Sequence, residues 1–334
     1  MGGDRGASVA VEGAVAAFKA WGVTTILVGD ELELQSHLDS FDQEFSKKLQ
    51  IYHAPEMVGM DDSPSVSLRK KPRSSMRVAH QLVVEGKASS IVSAGNTGAM
   101  MATGLFEFGT ISGIGRPAIA TLIPKISSDR PTVLIDSGAN VECHARQLVQ
   151  FAVMGDIYAR DILGCKNPRV ALLSNGSESS KGTDITRAAA YLLESLAGLH
   201  YVGYVEGNDL PRDVADVVVC DGFVGNVLLK GMEGAVRLVF DSIKTYSKQD
   251  WKGRMGLLLA RGLLRRIFQQ KLDPSAYGGA PLLGLKGISI VSHGSSDARA
   301  IMNAIRLASR LSEMGIADSL ERAMTVLETH LEAI

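Results

Sequence analysis

"SIVSAGNTGAMMATGLF", residues Ser90 to Phe106, decides how the rest of the chain is read. Four small or branched residues lead into Ala94-Gly95-Asn96-Thr97-Gly98, and an apolar run of helical character follows at once. That is the grammar of a buried strand, a tight glycine-bearing bend and a helix. The bend is either a plain turn or a loop that holds something, and a single instance does not separate the two readings.

The same grammar recurs on both sides of this stretch. It is found in "TTILVGD" at Thr24 to Asp30, "TVLIDSGAN" at Thr132 to Asn140 and "RVALLSNGSE" at Arg169 to Glu178. "DVVVCDGFVGN" at Asp216 to Asn226 and "ISIVSHGSSD" at Ile288 to Asp297 repeat it. Near-continuous β-branched runs, rather than strict alternation, are the pattern of strands covered on both faces. The segments between them read as crossover helices. Leu148, Phe151, Ala152, Ile157 and Tyr158 recur at helical spacing, as do Val227, Leu228, Met232, Val236, Val239 and Phe240, and Ile301, Ile305, Ala308 and Leu311. The spacing predicts an α/β fold with a largely parallel sheet, whose strand-end loops gather in one ligand-binding crevice.

The chain reads as one α/β domain over 1–334, or as two subdomains. Met57 to Lys71 is a polar loop, and a helix follows from Ser75 to Glu85. Gly113 to Pro131 reads as a strand pair or an excursion, and Trp251 to Gly284 as a helical projection for membrane or dimer contact. The helix after Gly2-Gly3 lacks the preceding strand that the other helices have.

Composition bounds the functions. In 334 residues, 46% hydrophobic and 21% charged, there is ample core and no disorder signature. With 35 basic against 36 acidic side chains the chain has no overall field for nucleic acid. Cys143, Cys165 and Cys220 lack CxxC spacing and disulfide density, which points to a reducing, cytoplasmic setting. No run of 18 apolar residues occurs.

In Asp221-Gly222-Phe223-Val224-Gly225-Asn226 the glycines permit close backbone approach, and a following helix would aim free amides into the loop, a ready phosphate site. Asn226 reads as an amide donor or a helix cap. His293 and Ser295 sit at another strand end, suited to proton exchange or phosphate contact, with Ser296 as the next helix cap. Lys181 and Lys230 suit phosphate neutralisation, although loop and helix lysines are usually solvated. Lys125 reads equally well as solvent-facing. Neither G-x-G-x-x-G nor the P-loop pattern occurs, no zinc pattern is present, and no serine lies in G-x-S-x-G. No cofactor or metal is expected.

"WKGRMGLLLARGLLRRIFQQKL", Trp251 to Leu272, holds Lys252, Arg254, Arg261, Arg265, Arg266 and Lys271 and no acid. On a helix Arg254, Arg261 and Arg265 share a bearing, and Leu257, Ala260, Leu264, Ile267 and Phe268 are expected on a broad opposite side. Such a segment suits an anionic bilayer surface, with core packing or subunit contact as the comparable reading.

Taken in order, these motifs resemble the bacterial phosphate acyltransferases called PlsX. The likeness runs through "MGGD" at Met1 to Asp4, "LVGD" at Leu27 to Asp30, "SAGNTGA" at Ser93 to Ala99 and "GANV" at Gly138 to Val141. It continues through "DVVVCDGFVGNVLLK" at Asp216 to Lys230, "YGGAPLLGLKG" at Tyr277 to Gly287 and "HGSSD" at His293 to Asp297. The resemblance implies a three-layer α/β/α sandwich related to phosphotransacetylases and isocitrate/isopropylmalate dehydrogenase-like folds, in a homodimer. It implies conversion of long-chain acyl-ACP (acyl carrier protein) and inorganic phosphate into acyl-phosphate and ACP, in phospholipid synthesis. The product would feed a membrane glycerol-3-phosphate acyltransferase, which gives the basic segment a reason to visit the inner face of the membrane. Family members carry a short apolar strand before the first motif, and Ser137 and Asn175-Gly176-Ser177-Glu178 depart from the usual residues while keeping small, polar loops.

Phosphate can attack a thioester itself, so no covalent residue is needed; the protein's task is to hold it and to supply aligned donors. Asn96, Thr97, Asn140 and Asn226 are the expected polar organisers, with Gly95, Gly98, Gly222 and Gly225 shaping the loops. Asn96, Asn226 and His293 are the catalytic candidates, and Lys181, Asp221 and Ser295 join the substrate-binding set. The alternatives are short-chain transfer involving coenzyme A, a dehydrogenase on the related fold, and a non-enzymatic membrane scaffold.

Overall fold

The computed structural model describes residues 2–332 apart from 43, 44, 46, 47, 249, 250 and 269–272. Met1, Gln269, Gln270, Lys271 and Leu272 of the quoted motifs therefore lie outside the described residues. The chain begins with α1 (Gly6–Trp21), β1 (Ile26–Gly29), α2 (Glu31–Leu38), β2 (Gln50–His53), α3 (Pro64–Lys70) and α4 (Ser75–Val84). It continues with β3 (Ser90–Ser93), α5 (Thr97–Glu107), β4 (Ala118–Ile123), β5 (Thr132–Ile135) and α6 (Ala145–Ile157). Next come β6 (Val170–Leu173), α7 (Asp184–Ser195), β7 (Tyr201–Val205), β8 (Val217–Val219), α8 (Gly222–Tyr246) and α9 (Trp251–Ile267). β9 (Ala280–Leu283), β10 (Ile288–Val291), α10 (Ala298–Glu313) and α11 (Ile316–Glu332) follow.

Every residue of β5 and β8 is buried, as continuous apolar runs require. Alternate side chains leave a strand on opposite faces. Thus Val133 and Ile135 join Phe151 and Met154 of α6 in one core, while Leu134 joins Val218 and Ala171 in another. The sheet is a layer between two apolar layers for that reason.

Eight strands form the main sheet in the order β3-β10-β9-β4-β5-β8-β6-β7, and β1 pairs with β2 separately. β3 and β10 are parallel; β9 is antiparallel to β10 and β4, and β4 antiparallel to β5. β5, β8, β6 and β7 are mutually parallel. The stretch from Gly113 to Pro131 thus supplies the single strand β4. Three successive reversals make β3 and β10 run opposite to the β5 group. The expectation of one crevice for all strand ends is corrected by this topology: the ends emerge at two opposite edges.

A cavity of about 740 Å³ lies between β1 and β3, lined also by Val9 and Ala14 of α1 and Ile301 and Ile305 of α10. Lys125, for which a solvent-facing position was an equal expectation, is instead buried against Asp216 at 2.7 Å and Asp213 at 2.9 Å. Burial opposes charge on Asp216, but hydrogen bonds from Arg169 and Lys125 outweigh it and hold its carboxyl well below the usual range.

Candidate active site

The first edge is built where β3 and β10 end side by side, with Val291 opposite Ser93 and the Ser292 amide donating to the Ser93 carbonyl at 2.8 Å. Asn96 caps α5, its Oδ1 accepting from the Ala99 amide at 2.9 Å. Its Nδ2 donates to the carbonyls of Met60 at 2.8 Å and Asp62 at 3.0 Å, with a longer contact to Gly59. Asn96 is thus a clamp between helix and loop, with its donors already engaged. The Gly95 amide donates to Ser93 Oγ at 3.1 Å, while Thr97 stands exposed beside Gly98 in the first turn.

His293 and Ser295 are exposed on the adjoining loop. His293 Nδ1 accepts from the Ser295 amide at 3.2 Å and lies 2.7 Å from Ser295 Oγ. An amide donor requires a ring lone pair, which assigns the neutral ring's proton to Nε2. Asp297 caps α10 through the Ala300 amide at 2.9 Å, so the cap expected of Ser296 belongs to its neighbour. The Asp4 amide donates to the Gly294 carbonyl at 3.0 Å and brings the amino-terminal turn to the same edge.

Asp136 organises the second edge. Its carboxylate accepts from the amides of Ile119 at 3.1 Å, Gly138 at 3.0 Å, Ala139 at 2.9 Å and Asn140 at 2.8 Å. Burial pushes its pKa up, against the pull of these hydrogen bonds. Asn140 is buried, its Nδ2 donating to the Pro117 carbonyl at 2.8 Å and to Asp136 at 2.9 Å, while its carbonyl accepts from the Gly222 amide at 2.7 Å. This role of Asp136 leaves no trace in the sequence, because four backbone donors make no side-chain pattern. Likewise, nothing in the spacing tied Asn96 to a loop over thirty residues away.

Asp221 to Asn226 was expected as a loop. Instead Asp221 is the N-cap, accepting from the Val224 amide at 2.8 Å, and Gly222–Asn226 form the first turns of α8. The negative cap and the bonded Gly222 amide correct the expectation of a phosphate-ready helix end there, since anion binding needs free amides. A Cβ at Gly225 would collide with the Asp136 carbonyl, so only glycine lets this turn pack so closely. Gly138 has φ +144 and faces Asn226, whose exposed side chain makes no hydrogen bond among the described residues. Lys181 is exposed on the loop after β6 at this edge, and its ammonium has no ion-pair partner among the described residues; Lys230 is paired with Glu233 at 2.9 Å.

Among the described residues the edge therefore offers Asn226 and Lys181 as uncommitted donors. Burial pushes the Cys143 thiol up to about 12 and also raises buried Cys220 well above the ordinary thiol range. Neither is a competent thiolate nucleophile. Among the described residues no group of three His, Cys, Asp or Glu side chains is placed to hold a metal.

α8 packs Leu228, Leu229 and Met232 against the sheet and then runs on into solvent, so it is not the covered crossover helix its spacing suggested. A groove of about 860 Å³ separates it from α9, lined by Phe240, Leu257, Leu264 and Phe268 together with Arg261 and Arg265. The expected opposition of the arginine stripe to Leu257, Leu264 and Phe268 is thereby corrected: they flank one groove, with the Phe240 and Phe268 ring centroids 5.3 Å apart. Ile267 is exposed, and Leu258, Leu259 and Leu263 are more so, at 60%, 81% and 58%. No helix among the described residues is long and apolar enough to cross a membrane.

A family model described as "Fatty acid synthesis protein" matches residues 1–319. Proteins named phosphate acyltransferase are similar throughout: one from Trichlorobacter lovleyi is 46% identical, covering 97% of this chain and 93% of the relative. Another from Syntrophotalea carbinolica is 48% identical, covering 96% of this chain and 91% of the relative. Among solved structures, a phosphotransacetylase from Streptococcus pyogenes superposes with TM-score 0.59 at 19% identity, covering 91% of each chain. A second from Staphylococcus aureus gives 0.56 at 18% identity, covering 92% of each. These two likenesses establish the shared fold.

Proposed function

This chain belongs to the fatty acid synthesis protein family, and from that premise we propose that it transfers a long-chain acyl group from acyl carrier protein to inorganic phosphate. The observation carrying this reading is the similarity to phosphate acyltransferases along nearly the whole chain. A phosphate oxygen attacks the thioester carbonyl carbon, a tetrahedral oxyanion forms, the C–S bond breaks, and the carrier thiolate leaves and takes a proton. The raised cysteine thiols favour direct attack over an acyl-enzyme.

At the first edge, His293 Nε2–H, Ser295 and Thr97 supply donors for phosphate and oxyanion, while Asn96, Gly95 and Gly98 hold the bend. At the second, Asn226 and Lys181 supply an amide and a cation, with Asn140, Asp221, Gly222 and Gly225 setting their scaffold. One chain keeps these sets apart. A homodimer unites them, and α8 carries the face for it: Phe223, Val227 and Leu238 are 60%, 57% and 68% exposed, in line with Gly231 and Gly234, where a Cβ would meet open space. The exposed leucines and arginines of α9 then touch the anionic inner face of the membrane, where the glycerol-3-phosphate acyltransferase consumes the product, and the enzyme otherwise works in the cytoplasm.

The reading is tested by trapping acyl-phosphate with hydroxylamine while acyl-ACP and acyl-coenzyme A of several chain lengths are compared as donors. Long-chain acyl-ACP should be preferred and phosphate required. A preference for acetyl-coenzyme A would replace this reading with short-chain transfer.

A further inference from the structure

α3 begins at the first edge. A Cβ on Gly98 would lie 2.9 Å from Pro64 Cγ, and Asn96 ties the preceding loop to the same point. Ser67 turns inward, while Val66 is 46% exposed and Arg69 and Lys70 stand exposed on the outer face, followed by exposed Arg73. Met57 and Met60, at 46% and 42%, add apolar area beside them. The charges here are unequally committed. Lys71 holds Asp62 at 2.5 Å, Arg77 holds Glu107 at 2.6 Å, and Glu56 accepts from the Arg73 backbone amide at 2.7 Å. Among the described residues Arg69, Lys70 and the Arg73 guanidinium make no hydrogen bond or ion pair, and exposed Asp61 is the one nearby acid likewise uncommitted.

Three free cations around adaptable methionines fit an acidic protein with some apolar contact. We propose that the α3 surface docks the acidic carrier protein that delivers the acyl thioester, an inference that rests on the acyl-transfer reading above. A helix of this length spans about 10 Å. A carrier seated on it therefore stands beside Asn96, Thr97 and His293, within reach of a flexible thioester arm. The same charge pattern steers encounter, so the association should weaken with salt.

The test compares the wild-type protein with Arg69→Glu/Lys70→Glu/Arg73→Glu, using acyl-ACP and a neutral acyl-pantetheine thioester, with thermal melting as the check on folding. The expected result is a KM for acyl-ACP raised about tenfold or more at low salt, with kcat and the pantetheine reaction unchanged. An unchanged carrier KM overturns the proposal, as does an equal loss with both donors, or a carrier effect found instead in Arg265→Glu/Arg266→Glu. Lost vesicle binding with an unchanged carrier KM assigns the surface to a membrane and also overturns it. Wild-type activity on the thioester without saturation by acyl-ACP overturns the docking surface alone; inactivity on both donors overturns the transfer reading with it.

Discussion

His80 is fully buried, its Nδ1 2.8 Å from the Met76 carbonyl and its Nε2 without a partner. A carbonyl demands that Nδ1 carry the proton, and burial with no partner for Nε2 keeps the ring neutral as folded. Burial lowers its pKa to about 4 from 6.5, against smaller opposing effects of Met76 and Glu107. The unfolded chain therefore binds more protons between these values. Stability is full above about 6.5 and falls with pH through about 4, by about 3 kcal/mol at the conversion of one pKa unit to about 1.4 kcal/mol. Urea unfolding across this range should show the step in the wild type and a flatter profile in His80→Leu; identical profiles would remove His80 as its source. The same neighbourhood shows where sequence reading ends. Asn96 was legible as a polar organiser because Asn-Thr-Gly opens a helix, yet its hold on Met60 and Asp62 depends on tertiary placement.

At the scale of elements, continuous apolar runs such as Thr132–Ile135 announced their strands because both faces are covered. β4 was ambiguous because its direction is set by its neighbours β5 and β9, through pairing that local composition does not encode. α8 misled for a related reason: its half-buried Leu228 and Met232 have the period of a core helix, while Val227 and Leu238 on the other side are exposed. α9 combines exposed Leu258, Leu259 and Leu263 with Arg261, Arg265 and Arg266. Sedimentation with anionic vesicles should exceed that with zwitterionic ones and fall sharply with salt, since each basic residue near an anionic surface contributes about 1 kcal/mol. Arg261→Glu/Arg265→Glu should abolish the difference; binding indifferent to salt and to both changes would remove the membrane role.

For the whole molecule, the reversed strands decide how the two polar edges can meet. Asn226 and His293 belong to opposite ends of one sheet, so the proposed shared site calls for a second copy. Asn226→Ala and His293→Ala should each lose most turnover, whereas co-expressed and allowed to pair at random they should recover about a quarter of wild-type activity, because half the dimers carry one intact site of two. No recovery from a folded, mixed dimer would confine the chemistry to one chain. The direct-attack account itself is tested by rapid-quench measurement of carrier thiol release from long-chain acyl-ACP with and without inorganic phosphate. Release should require phosphate and match acyl-phosphate formed mole for mole. One equivalent of free carrier thiol per site in the absence of phosphate would reveal an acyl-enzyme and contradict it.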